Sequence, residues 1–412
     1  MLQAGYVFCH RCGNATQDAF YFNASTNAWV QLFRTITGRF VVTKYTPPYQ
    51  QGKIDPAKAA GIHRFRFSPT NGRQVQGLQH KIRVECHSDK AVQVLDFVRS
   101  CPFCVGLKEG WSSAVELLPH LGDLPTFVIG VVGARTVGKS CWIHALSCPS
   151  NINVVNDSKN STYSALGYTL GTSEWSEEQT DIINPNALNE RGKTRMMYIR
   201  KKSDGSSHAV AQVLVMDFAG ELFAENKQNE FESEAAHIFR GGEGYSGVDA
   251  VVFMTDPLPE KSDYSLATTY HRARGEYDLL QNKPIAFVMN KVDLLIDAKP
   301  QRHINNDPSL AEVPLLTEDT FIRQDSDMYR KSELQARVAL QTALLKRIHP
   351  LVRAISNETR CAGFLVKSTD PFVAMDPASG KKEDMLNFGK SINVMDPLLW
   401  VLNELDIFPI EE

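Results

Sequence analysis

Gly133-Ala134-Arg135-Thr136-Val137-Gly138-Lys139-Ser140 fits the pattern G-x-x-x-x-G-K-[ST] and follows directly on the apolar run Phe127 to Val132. The pattern predicts a strand feeding a tight loop whose backbone N–H groups converge on phosphate oxygens. A helix over Lys139 to Leu146 then adds the positive end of its dipole. In such a loop Lys139 would reach the β- and γ-phosphates and Ser140 would hold magnesium. Cys141, next in the chain, packs in the first turn of that helix and completes the expected cradle for a nucleoside triphosphate. A Gly-rich turn without a ligand is the plain alternative.

Two downstream segments sharpen this reading. Val213-Leu214-Val215-Met216-Asp217-Phe218-Ala219-Gly220 is an apolar strand ending in an aspartate, with a glycine three residues on. An acidic residue at the carboxyl end of a buried strand can bind the magnesium shell, and Gly220 offers its N–H to a γ-phosphate. Taken alone, Asp217 could equally end the strand and cap a helix. Pro284 to Met289 is a second buried strand, running into Asn290-Lys291-Val292-Asp293. The Asp293 carboxylate can accept hydrogen bonds from the N1–H and 2-amino edge of guanine, whereas adenine would leave it unpaired. Lys291 can lay its aliphatic stem over the base, and Asn290 can tie this loop to the phosphate loop.

In this order the three motifs resemble the GTPases of the Ras and translation-factor superclass, over roughly residues 126 to 405. The resemblance implies GTP and GDP as ligands, Mg²⁺ as cofactor and GTP hydrolysis as the activity. It makes Thr194, just before the strand Met196 to Arg200, the switch threonine that completes the magnesium and γ-phosphate contacts. Because 53 residues separate Ser140 from Thr194, Thr162, Thr169 and Thr172 stay rivals within an enlarged first switch. The resemblance also makes Lys367 and Ser368, after Gly363 to Val366, the support for the guanine from its other side.

Two residues depart from the family pattern. Glu221 follows Gly220 where many members carry a water-orienting glutamine; a carboxylate there meets repulsion from the γ-phosphate unless a cation offsets it. An acidic residue in a helix first turn is the other reading. Arg135 occupies the loop position nearest the γ-phosphate, either stabilising transition-state charge in cis or pointing to solvent. Both departures fit slow intrinsic hydrolysis accelerated by a partner or by self-association.

Strand-like runs at 126–132, 196–200, 209–217, 248–255, 284–289 and 362–367 alternate with helical stretches. The alternation predicts an α/β domain over 125–412 with a doubly wound, mostly parallel sheet, helices on both faces and ligands at the carboxyl ends of the strands. Ser203-Asp204-Gly205-Ser206 is the one hairpin turn expected within it. Residues 294–325 read as an irregular insertion. Lys331 to Ile355 is a helix broken at Pro350, and Asp396 to Leu405 is a closing amphipathic helix.

Residues 1–124 form the second expected domain. Cys9-His10-Arg11-Cys12-Gly13 and Cys101-Pro102-Phe103-Cys104 are C-x-x-C turns of the kind that set two thiolates on one ion. Together Cys9, Cys12, Cys101 and Cys104 would complete a structural Zn²⁺ site in a zinc-ribbon-like, β-rich module, with an 88-residue insertion between the pairs. Redox-active cysteines are the alternative, and Cys86-His87 an alternative source of a ligand. This domain holds 14 Lys and Arg against 8 Asp and Glu, a net +6, and the remainder 30 against 39, a net −9. Arg64, Arg66, Lys81 and Arg83, interleaved with Phe65 and Phe67, could face nucleic acid, although a solvated strand face gives the same pattern and is preferred.

With 412 residues and 43% apolar content the chain is large enough for two cores. It carries no apolar stretch long enough for a membrane helix and no secretory leader, so the expected compartment is the cytoplasm. The combined expectation is a magnesium-dependent GTP-binding and GTP-hydrolysing molecular switch with an N-terminal zinc module. The long first switch, the D-x-A-G-E sequence and Asp396-Pro397-Leu398-Leu399-Trp400 are similar to bacterial double-GTPase proteins of conflict systems. That similarity implies a protein effector or self-association. A hydrolysis-deficient guanine-nucleotide binding module and a zinc-ribbon nucleic-acid adaptor are the alternatives.

Overall fold

The structure, a computed structural model, describes residues 6–9, 15–16, 19–34, 36, 40–47, 61–68, 81–104, 115–117, 124–156, 167–172, 182–183, 194–203, 206–223, 227, 229, 231, 235–241, 245–257, 266–275, 278–294, 331–355, 360–375 and 382–407. The chain divides into two compact units, Met1–Thr126 with Glu234–Gly247, and Phe127–Ser233 with Val248–Glu412. The expected insertion at 294–325 lies outside the described residues apart from its first position. Among the described residues no helix is long and apolar enough to cross a membrane.

The first unit contains β1 (Val7–Phe8), β2 (Ala15–Thr16), β3 (Ala19–Asn23), β4 (Ala28–Arg34), β5 (Phe40–Tyr45), β6 (Ile62–Ser68), β7 (Lys81–Ser88), β8 (Val92–Cys101) and β9 (Val115–Glu116). β1 and β2 form a small hairpin. The others make one antiparallel sheet in the order β5-β4-β3-β8-β7-β6, with β9 added to β8, and it curls until its edge strands β5 and β6 approach each other. Alternation along the strands dictates this shape. Ala28, Val30 and Leu32 of β4 point to an inner core with Val42, Ile82, Val84 and Phe97. Trp29, out of phase by one residue, joins Phe20 on the other face, where Phe22, Tyr45 and Phe103 pack against them. The β3–β4 hairpin is turned by Asn23, whose Oδ1 accepts hydrogen bonds from Thr26 N at 2.9 Å and Ser25 Oγ at 2.7 Å.

The second unit runs β10 (Thr126–Gly133), α1 (Lys139–Leu146), α2 (Pro149–Asn156), β11 (Tyr168–Thr172), β12 (Ile182–Ile183), β13 (Thr194–Ser203), β14 (Ser206–Ala219), β15 (Ala250–Thr255), α3 (Leu266–Gly275), β16 (Ile285–Met289), α4 (Lys331–Ile348), α5 (Pro350–Ile355), β17 (Cys361–Leu365), β18 (Asp370–Met375), β19 (Lys382–Asn387) and α6 (Asp396–Glu404). Its main sheet has the order β11-β13-β14-β10-β15-β16-β17. β10, β15, β16 and β17 are parallel, and β15 and β16 are buried along their whole length, as strands covered on both faces must be.

The expectation of a doubly wound, mostly parallel sheet is overturned. β13 and β14 pair antiparallel from Thr194↔Met216 to Ser203↔Ser206, and β11 pairs antiparallel on the far side of β13. β12, β19 and β18 make a separate antiparallel sheet, and every pairing within the first unit's sheet is antiparallel. The second unit's main sheet is therefore mixed and the chain as a whole is dominated by antiparallel pairing. The turn expected at Ser203–Ser206 is present and sets β13 against β14, since a two-residue connection permits only an antiparallel neighbour, and β11 adds a further antiparallel edge that the sequence did not announce.

One core under this sheet gathers Trp142, Ile143, Ala145 and Leu146 of α1 with Leu398, Leu399, Val401 and Leu402 of α6. Leu399 is fully buried there, so Leu399→Ala is expected to cost about 2–5 kcal/mol of stability, measured by urea unfolding.

Candidate functional site

β10 delivers the chain to the loop that sequence singles out. Thr136 and Gly138 adopt left-handed backbone, with φ of 69° and 90°, which turns the loop back over the strand end. A Cβ on Gly138 would lie 2.3 Å from Asn290 Nδ2, so only glycine admits the close approach of the 290 loop. α1 starts immediately after it, with Trp142 N donating to Gly138 O at 2.9 Å. Lys139 is 9% exposed; its Nζ donates to Gly133 O at 2.7 Å and Ala134 O at 2.9 Å and stands 3.9 Å from Asp217 Oδ1. Arg135 is exposed on the loop.

Ser140 Oγ donates to Asp217 Oδ2 at 2.7 Å. That is an ordinary O–H···O distance, and it leaves the two oxygens close enough to be ligands of one hard cation. Gly220 opens a 3-10 turn, Gly220–Phe223, packed against the end of β10: a Cβ there would meet Gly133 O at 2.6 Å. Glu221 is the second residue of that turn, and its side chain lies outside the described set. Burial pushes the Cys141 thiol up to about 11, opposed by Lys291 and reinforced by Asp217, which leaves a neutral thiol at physiological pH.

The 290 loop closes the other end. Asn290, 2% exposed, donates from Nδ2 to Val137 O at 3.1 Å, and its Oδ1 accepts from Ser368 N at 3.1 Å and Ser368 Oγ at 2.8 Å. Lys291, at φ 58°, reaches back with Nζ to Thr136 O and to Asp256 Oδ2, 2.7 Å away. Asp293 is half-buried in the short turn that follows. Lys367 is held at its backbone by paired bonds with Ile392 and at Nζ by Asp370 Oδ1 at 3.0 Å. The structure thus joins Lys139, Ser140, Asp217, Gly220, Asn290, Lys291 and Ser368 through one network of contacts around the phosphate-type loop.

Thr194 is not in a loop. It is the first residue of β13, paired with Met216, the neighbour of Asp217 in the chain. Thr169 and Thr172 lie one strand further out on β11, and Thr162 falls outside the described residues. Asp256 went unnoticed in the sequence although it carries the signal used for Asp217, an acidic residue directly after a buried strand.

In the first unit the Sγ atoms of Cys9, Cys101 and Cys104 lie within 4.8 Å of one another, with Cys9 and Cys104 3.5 Å apart, and all three residues are buried. Sulfurs sharing a tetrahedral metal at about 2.3 Å would stand about 3.8 Å apart, so thiols this close could hold a metal ion. Cys9 follows β1 of one hairpin, and Cys101 ends β8 where it pairs with β9, so the long insertion between the pairs is the curled sheet itself. Cys12 lies outside the described residues. Cys86 belongs to the inner core of that sheet, where burial pushes its thiol up to about 11.

Arg64, Arg66, Lys81 and Arg83 are exposed on β6 and β7. Two of the four have acidic neighbours across the sheet, Arg66 opposite Glu85 and Arg83 with its Nε 3.3 Å from Asp96 Oδ1, whereas Arg64 stands opposite His87 and Lys81 opposite Val98. The partial compensation at Arg66 and Arg83 is of the kind found on solvated strand surfaces.

No protein-family model matches the chain, and no curated protein matches it. The functional reading is therefore carried by the residues and their geometry. For the sulfur group the expected outcome is about one equivalent of bound zinc, released by a thiol-reactive mercurial and measured with a chromogenic chelator. Cys101→Ser should lower that stoichiometry and the thermal midpoint together, whereas unchanged zinc content in the variant contradicts the assignment.

Proposed function

We propose that this protein is a GTP-binding and GTP-hydrolysing molecular switch, similar in its motifs to the Ras and translation-factor GTPases, with a structural zinc module at its N-terminus. The observation that carries this reading is the Asn290 amide, which bonds the phosphate-type loop at Val137 and the Ser368 loop at once. A polyphosphate gripped by the first loop would have its base end at the loops holding Asn290, Lys291, Asp293 and Ser368.

In this reading, backbone N–H groups of residues 133–140 and the Lys139 ammonium bind the β- and γ-phosphates. Lys139 would exchange its two carbonyl acceptors for phosphate oxygens, which are stronger partners for an ammonium. Ser140 and Asp217 hold Mg²⁺, which supplies charge neutralisation across the β- and γ-oxygens. Gly220 presents its N–H beside the end of β10, where it senses the third phosphate. Asp293 accepts from the guanine edge, and the Lys291 stem covers the base on its way to Thr136 and Asp256.

Thr194, Arg135 and Glu221 are the residues from which attack on the γ-phosphate would be organised. Arg135 is exposed on the loop and can swing to the transferring phosphoryl group or meet a partner. A carboxylate at 221 orients water poorly beside a polyanion. Slow turnover, accelerated by an effector or by self-association, follows from that arrangement.

Equilibrium binding and phosphate release, compared for GTP and ATP, test the reading. Wild-type protein should prefer GTP and release phosphate in a magnesium-dependent manner. Lys139→Ala should abolish turnover, and Asp293→Ala should weaken GTP binding by about 100-fold or more while leaving ATP unaffected. Equal affinity for the two nucleotides overturns the guanine assignment. GTP binding without turnover reduces the protein to a nucleotide-dependent binding module.

A further inference from the structure

The Asp396-Pro397-Leu398-Leu399-Trp400 segment opens α6, far along the chain from every nucleotide motif. Asp396 is 1% exposed, yet it caps nothing: the N-cap is Met395, without a side-chain cap bond, and the Asp396 carboxylate is directed at α4. There Arg337 grips it with two bonds, Nη2 to Oδ1 at 2.8 Å and Nε to Oδ2 at 3.1 Å, and Gln341 Nε2 donates to Oδ2 at 2.9 Å. A buried ion pair of this kind is weak support for stability, since apolar residues of similar volume serve as well. Its use must be sought in what it orients.

It orients Gln341. Because the carboxylate only accepts, the Gln341 amide is fixed with its NH2 toward Asp396 and its Oε1 toward β17, where it accepts from Leu365 N at 2.8 Å. Leu365 is the last residue of β17 before the Val366-Lys367-Ser368 loop. The segment entering α6 grips the same place from its other side: Asn393 Nδ2 donates to Leu365 O at 3.2 Å, and Ile392 pairs with Lys367 through both backbone groups. It also reaches the phosphate side, since Trp142 Nε1 of α1 donates to Val394 O at 3.0 Å.

We propose that Asp396 is a positioning residue for nucleotide recognition: through Gln341 and Leu365 it sets the register of the Ser368 loop, and through Ser368 the orientation of the Asn290 amide. The inference rests on the guanine-nucleotide reading above and adds to it a group that touches no ligand. Loss of the carboxylate frees the Gln341 amide to rotate, loosens the end of β17 and removes support from the base side of the crevice. The loop at 133–140 loses only the alignment of its Asn290 bond at Val137 and keeps the Lys139 bonds to Gly133 and Ala134 and the Trp142 bond to Gly138.

The test uses the full chain with Asp396→Asn, nearly identical in shape, and measures equilibrium affinity and dissociation rate for GTP, GDP and ATP beside urea unfolding. GTP and GDP should both bind about tenfold more weakly, through faster dissociation, with ATP affinity unchanged, so that discrimination shrinks by the same factor. Gln341→Leu should reproduce this base-specific loss, and the double variant should be no worse than either single one, as for groups acting in series. Should Asp396→Asn not fold, Gln341→Leu alone decides. A variant with a lower unfolding midpoint but wild-type affinities overturns the inference, as does an equal loss for GTP and ATP or additive losses in the double variant. Those outcomes leave the guanine reading standing; wild-type protein that binds no guanine nucleotide removes both.

Discussion

A single buried amide sets the geometry of the second unit's candidate site. Asn290 lies at the carboxyl end of β16, between the loop that ends β10 and the loop that ends β17, and its two ends are chemically different. The NH2 group must donate, and it finds Val137 O; the oxygen must accept, and it finds both polar hydrogens of Ser368. At 2% exposure an unmade bond would leave a desolvated polar group, so the three loops are fixed together. The close approach is possible because Gly138 has no side chain to fill that space. Everything proposed for the nucleotide site, from Lys139 at one end to Asp293 at the other, depends on this tie between the loops.

The mixed sheet explains how such a site is carried. Its parallel half, β10 with β15, β16 and β17, brings the loops bearing Lys139, Asp256, Asn290 and Ser368 to one edge, because parallel strands all end on the same side. Its antiparallel half brings Asp217 to the same edge on β14, one strand over from β10, and hangs β13 and β11 beyond it. Among its described residues the long segment after α2 contributes two strands to two different sheets: β11 edges the main sheet, and β12 joins the β18–β19 hairpin that follows the Ser368 loop.

The first unit follows another logic. Its curled sheet has a small inner core, and an outer aromatic cluster of Phe20, Trp29, Tyr45 and Phe103 lies beside it, Phe103 being one of the two residues between Cys101 and Cys104. Thiols from chain positions 9, 101 and 104 meet within 4.8 Å of one another, close enough for one metal ion to tie the start of the unit to the end of β8.

Sequence by itself determined the pieces whose physics is local. The glycines and lysine of the loop at 133–140, the aspartate ending β14, the Asn290 to Asp293 turn, the break at Pro350 and the paired cysteines were legible because strand ends, tight turns and C-x-x-C spacing are properties of a few neighbouring residues. Strand direction was legible only at the Ser203–Ser206 turn, which predicts the β13–β14 hairpin; the antiparallel edge β11 and the separate β12–β19–β18 sheet were not, because only the partner chosen across a sheet makes such strands antiparallel. Asp256 beneath Lys291 was overlooked although its place directly after a buried strand was a local signal, but the roles of Asp370 on Lys367 and Asp396 behind Gln341 were missed for the same reason as the strand pairing. Each of the latter two is an ordinary acidic residue until folding places a cation or an amide within hydrogen-bond reach, and that placement is decided by long-range packing, which no short window of sequence contains.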